Sequence, residues 1–127
     1  MRTSTLLAVV LVTACGTSLT QTQINQPPHA MSPRPAASVE ILSSGPPTRP
    51  HVDVAILQAQ QQAYSLDDQA DMIAKLRGEA ARLGCDALVI NGPDNGAAGT
   101  RDTTWTLHGY FATCIAYTDM PPALAHR

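Results

Sequence analysis

The chain reads as an α+β domain, a small sheet in the order β-β-α-β-β with one amphipathic helix packed on one face. Three observations predict it. Apolar residues recur at steps of three and four between Leu66 and Leu83, and this is the clearest helical pattern. Short runs rich in β-branched residues flank that stretch on both sides, bounded by Gly, Pro, Asn and Ser. The length of 127 residues leaves room for one small domain.

The first strand is Val39-Glu40-Ile41-Leu42, which alternates apolar and polar residues. Ser43-Ser44-Gly45-Pro46-Pro47-Thr48-Arg49-Pro50 cannot continue it, because three prolines and a glycine interrupt the ladder. Alternation resumes at Val52, with Val52, Val54 and Ile56 on one face, so the two runs are expected to form a hairpin with a long, stiff loop. In the helix, Leu66, Ala70, Ile73, Leu76, Ala80 and Leu83 share a face, and most of the charged residues fall off it. Ser65 stands where an N-cap belongs, and Asp68 follows as a shortened capping box. Asp67 and Asp68 suit the positive end of the helix dipole, Arg82 suits the last turn, and Gly84 supplies the left-handed closing residue. Asp86–Ile90 then reads as a buried strand. Asn91–Asp102 reads as a flexible loop, and Thr103–Tyr117 as a long strand with Gly109 marking a bulge.

Four segments follow from this reading. Residues 1–14 have the layout of a secretory signal: Arg2 near the start, an apolar run Leu6–Val12, then small residues. The run is about half the roughly 20 residues that a membrane-spanning helix needs. Residues 15–37 are dominated by Thr, Ser, Gln, Asn and Pro, too polar to repay ordering, and are expected to be a disordered tether. Extended at about 3.1 Å per residue, such a tether reaches roughly 70 Å. Residues 38–119 form the folded domain, and residues 120–127 a loose tail.

Leu11-Val12-Thr13-Ala14-Cys15 resembles the lipobox of bacterial lipoproteins. The resemblance implies a diacylglycerol on the Cys15 sulfur, cleavage before it by signal peptidase II, and attachment to a membrane through that lipid. Gly16 follows in place of Asp, which by enterobacterial sorting permits the outer membrane, facing the periplasm. The alternative is ordinary cleavage near Ala14 that leaves Cys15 as a free thiol, an oxidation liability at an exposed terminus.

Net charge is −2, and the eight Lys and Arg residues are scattered, so no basic stripe points to nucleic acid. The count of three cysteines is odd, which suits one pair plus one cysteine with another role. If the strands after the helix form a hairpin, the midpoint of Cys85 and Cys114 falls in the Gly-rich loop, and the two face each other. A disulfide there would persist in an oxidising compartment; two buried thiols acting as small hydrophobes are the alternative. No C-x-x-C spacing supports redox catalysis.

Other candidates point to no chemistry. Asn91–Gly99 leads into a strand and lacks a P-loop Lys, so it fits a connection better than a phosphate cradle. His29, His51, His108 and His126 show no metal-ligand spacing. Asp67, Asp68 and Asp71 are explained by the helix start, and Trp105 beside the loop fits a cap on the sheet, with a binding aromatic as the alternative. A hydrolase would require His108, Asp53 and Ser44 to converge. No cofactor is expected.

Ser44-Gly45-Pro46-Pro47 with Arg49-Pro50, the run Val52–Leu57 and the segment Leu76–Ile90 together resemble small RcsF/YbjQ-type α/β domains. Leu83-Gly84-Cys85-Asp86-Ala87-Leu88 is similar to their characteristic junction of helix end, glycine and strand. The resemblance implies a small sheet with one packed helix, often membrane-anchored, and in RcsF a role in envelope-stress signalling. RcsF has two disulfides, whereas Cys85 and Cys114 can supply only one. The expected function is a non-catalytic envelope module that binds or senses a protein partner. The alternative is a structural protein that assembles through an exposed strand edge.

Overall fold

The structure, a computed structural model, describes residues 16–62, 67–93, 96–99, 102 and 104–119. The expected signal peptide, Cys15, Ser65, Leu66 and the expected tail lie outside the described residues.

The elements are β1 (Thr17–Gln23), a 3-10 turn (Ala36–Ser38), β2 (Glu40–Leu42), β3 (His51–Gln61), α1 (Gln69–Leu83), β4 (Ala87–Pro93), β5 (Gly96–Gly99), β6 (Thr104–Leu107) and β7 (Gly109–Tyr117). Five strands form one mixed sheet in the order β1-β3-β7-β4-β2, and β5 and β6 form a separate two-stranded ribbon. Helix α1 packs on one face of the sheet, chiefly against β3 and β7. The α+β class read from the sequence is the class observed.

Helix α1 buries Met72, Leu76, Ala80 and Ala81 against Leu57, Ala59, Leu88 and Ala112. Fully burying a side chain such as Leu57, Leu76 or Leu88 contributes about 1.5–3 kcal/mol each, so this layer supplies most of the driving force. The buried stripe runs through Met72 where the spacing predicts Ala70, which is exposed. The helix also starts later than expected. Asp68 is the N-cap, accepting from the Asp71 N–H, and the Asp71 carboxylate accepts from the Asp68 N–H, a reciprocal capping box. Gly84 closes the helix in the left-handed region at φ 85°, as its position predicts.

Three strand expectations are corrected. First, β2 and β3 are not a hairpin. Strand β2 pairs in parallel with β4, so the Ser43–Pro50 connection must cross the sheet to reach β3. Its prolines and Gly45 end the strand as predicted, but turn chemistry cannot say where the next strand docks. On the face away from α1, Ala87, Val89, Ile115 and Tyr117 form a second small core with Leu42, and Arg49 lies 3.7 Å from the Tyr117 ring centroid.

Second, the alternation of β3 reverses partway. The register with β7 shifts between Asp53 and Ala55, so Val54 and Ala55 are both buried and the inward set becomes Ala55, Leu57 and Ala59. Ile56, expected inside with Val52 and Val54, is left 38% exposed.

Third, the expected loop Asn91–Asp102 is partly strand: β4 continues to Pro93 and β5 pairs with β6. Gly109 pairs regularly with Gln60, and the irregularity in the pairing of β7 with β4 lies between Ile90 and Pro93, where Gly92 adopts φ 98°.

The largest correction concerns the expected tether. Thr17–Gln23 forms edge strand β1, antiparallel to β3 over its whole length. The residues after it form a strap that returns across the domain. The Ile24 and Asn25 N–H groups both donate to the Val54 carbonyl at the β3 bulge, the Arg34 N–H donates to the Ala81 carbonyl, and Met31 packs on the core. Polar composition misled the reading because backbone pairing, not apolar burial, holds most of this segment in place.

Candidate functional site

The strap ends on a buried carboxylate. Asp86 lies between the helix cap Gly84 and the first residue of β4, and it is 5% exposed. A charge in that position needs partners. Arg34 Nη1 donates to Asp86 Oδ1 at 2.7 Å, and the Tyr117 N–H donates to Oδ2 at 2.8 Å. The same guanidinium reaches the Cys85 carbonyl at 3.3 Å and, through Nε, the Ser38 hydroxyl at 2.8 Å. His29 Nε2 sits 3.9 Å from Asp86 Oδ2 and is buried without a hydrogen-bond partner among the described residues. The sequence reading placed His29 and Arg34 in a tether and missed both. Asp86, between an apolar helix end and an apolar strand, was the available clue that a partner must come from elsewhere.

Beside this cluster the disulfide Cys85–Cys114 closes, with Cα atoms 5.6 Å apart and both residues fully buried. The geometry differs from the expected facing pair. Cys114 lies opposite Leu88 in the ladder, and Cys85 stands outside β4, in the turn that follows Gly84. The bond therefore ties the helix cap to the centre of the sheet. Next to it, a cleft of about 180 Å³ is lined by Gln21, Gln23, Pro27, Met31, Val54, Ala55, Leu83 and Cys114. That is below the roughly 300–1,000 Å³ of typical small-molecule sites, and the lining is mostly apolar.

A second polar group lies over the face away from α1. The Tyr117 hydroxyl donates to Glu40 Oε2 at 2.9 Å, and Arg49 pairs with Asp119 at 2.8 Å. Burial first, then the Glu40 carboxylate, raises the Tyr117 pKa above its ordinary value. The Arg49 hydrogen bond holds the exposed Asp119 carboxyl below the usual range.

The remaining candidates are dispersed. Asp67 accepts from Thr17 at 2.6 Å and pairs with Lys75, which together lower its pKa, while Asp68 and Asp71 cap the helix. His51 Nε2 is 3.5 Å from Asp53 Oδ1. His108 lies beyond the other end of β3: its carbonyl accepts from Gln61 N–H, while Asp53 pairs with Ile115. About seven residues of strand separate these ends, roughly 20 Å, so His108 and Asp53 do not converge with Ser44 on a hydrolytic centre. Among the described residues, no three His, Cys, Asp or Glu side chains gather as a metal set. None of the described helices is long and apolar enough to cross a membrane.

The chain matches no protein-family profile and no curated protein. Among solved structures it is similar to the Francisella virulence factor FvfA, with a TM-score of 0.46 and 10% identity, over 75% of this chain and 96% of that one.

Proposed function

We propose that the chain is a lipid-anchored, non-catalytic protein of the cell envelope, attached through Cys15, whose domain binds or senses a partner protein at the membrane surface. The observation that carries this reading is the buried Cys85–Cys114 disulfide. A disulfide suits an exported chain in an oxidising compartment. It also uses two of the three cysteines and leaves Cys15, at the end of the signal-like segment, as the one free for lipid. Outer-membrane attachment facing the periplasm is the location this reading favours, given Gly16 after the cysteine.

The pairing of Thr17–Gln23 into the sheet alters the geometry of such an anchor. Gly16 lies directly before β1, so a single residue separates the lipidated position from the sheet. A domain held in this way lies against the bilayer and does not range over tens of ångströms. The RcsF-like sensing role then rests on contacts made at the membrane surface.

Metabolic labelling with a radioactive fatty acid tests the anchor. The wild-type chain is expected to take up label and fractionate with membranes, while Cys15→Ser accumulates as unlabelled precursor. Normal labelling of Cys15→Ser would sink the reading.

A further inference from the structure

The two edges of the sheet are built differently. Strand β2 has three residues and carries Glu40, and a short, charged edge resists pairing with other chains. Strand β1 has seven residues, Thr-Ser-Leu-Thr-Gln-Thr-Gln, with no charge, proline or bulge. Residues 18–23 are all exposed.

The ladder identifies which backbone groups are free. Gln62 N–H donates to the Gly16 carbonyl and Ile24 N–H to the Val54 carbonyl. In an antiparallel pair, hydrogen-bonded and non-hydrogen-bonded residues alternate. Gly16, Ser18, Thr20, Thr22 and Ile24 therefore bond to β3, and Thr17, Leu19, Gln21 and Gln23 turn their N–H and C=O groups outward.

We propose that this edge pairs with β1 of a second copy of the chain, antiparallel about a two-fold axis at Thr20, to give a continuous ten-stranded sheet. In this register Thr17 faces Gln23 and Leu19 faces Gln21, so every outward group on both strands finds a partner. Thr20 faces Thr20 and Ser18 faces Thr22 on the surface away from α1, a favourable cross-strand combination. No like charges meet. Leu19, 36% exposed in the single chain, is placed beside the partner's Gln21, which lines the apolar cleft with Met31 and Leu83. The edge and the exposed leucine are thus covered in one step.

Cross-linking of the full-length chain, in a Cys15→Ser background with Cys85–Cys114 oxidised, tests both the pairing and its register. Facing Thr20 residues lie about 4.5 Å apart between Cα atoms, within the range a disulfide bridges. Two Thr22 residues lie four positions apart along the strands, roughly 13 Å, beyond the roughly 7 Å limit. Thr20→Cys is expected to form a disulfide-linked dimer and Thr22→Cys to give no covalent link, running as a single chain under denaturing, non-reducing conditions. Gln21→Pro removes an outward N–H that β3 does not use, so it is expected to abolish the Thr20→Cys dimer while leaving the thermal midpoint nearly unchanged. Equal cross-linking of Thr20→Cys and Thr22→Cys, or a dimer that survives Gln21→Pro, overturns the proposal. So does a monomer by sedimentation at every concentration for the chain carrying Thr17–Gln23 unaltered.

Discussion

Arg34 and Asp86 are 52 residues apart in the chain and 2.7 Å apart in the fold, and their pairing fixes the strap to the start of β4. The guanidinium is 22% exposed and the carboxylate 4%, so the carboxylate depends on its partner more than the reverse. Arg34→Ala leaves a buried charge with one backbone donor and is expected to cost about 2–3 kcal/mol. Chemical denaturation checks this, and pairing Arg34→Ala with Asp86→Asn should recover part of the loss.

Gly84 makes the second attachment of the strap. A Cβ on this residue would stand 2.5 Å from the Ser32 carbonyl oxygen, and the φ of 85° is strained for any other residue. Gly84→Ala is expected to destabilise by at least about 1–3 kcal/mol and to raise hydrogen exchange first in residues 30–38. Exchange spread evenly over the domain would contradict the close approach as the cause.

The disulfide closes a loop with a sequence separation of 29 residues. In the chain-entropy treatment this is worth about 3.6 kcal/mol. The double variant Cys85→Ala, Cys114→Ala is expected to lower the melting temperature by roughly 15–25 °C. Because both sulfurs are buried, the native protein should resist mild reductant until it is denatured.

Acid and alkali are expected to act at different places. The Lys75 hydrogen bond, then that of Thr17, lowers the Asp67 pKa. A depressed carboxylate contributes stability above its ordinary value of about 3.9, and the contribution is lost as pH falls through the folded value. Asp67→Asn should flatten that acid limb and weaken the hold of α1 on β1. Tyr117 is the opposite case: its raised pKa leaves stability intact below about 10, and stability falls as pH rises beyond that. Tyr117→Phe should remove this alkaline loss, read as the thermal midpoint against pH.

What was legible in the sequence was local or strongly apolar. The periodic face of α1, the Gly84 cap and the β4 run Ala87–Ile90 all announce themselves within a few residues. The closure of Cys85 with Cys114 follows from neighbouring strands, although the helix-end turn places Cys85 off the ladder. The misread features depend on distant partners. Strand β1 is written in Thr, Ser and Gln and gains its place from the β3 backbone. The parallel pairing of β2 with β4 leaves no mark in either strand, and the reversal at Val54 needs the β7 register to be seen. His29 and Arg34 look like linker residues until Asp86 is known to be buried beside them.

Since the chain enters the fold as its outermost strand, a pull applied ahead of Gly16 loads the β1–β3 hydrogen bonds before anything else. If β1 peels away, the load passes to the strap and stops at Arg34, gripped by Asp86. Only when that grip fails does tension reach the part of the domain closed by sulfur. Under force the molecule therefore gives way in stages from its N-terminus, with its centre yielding last.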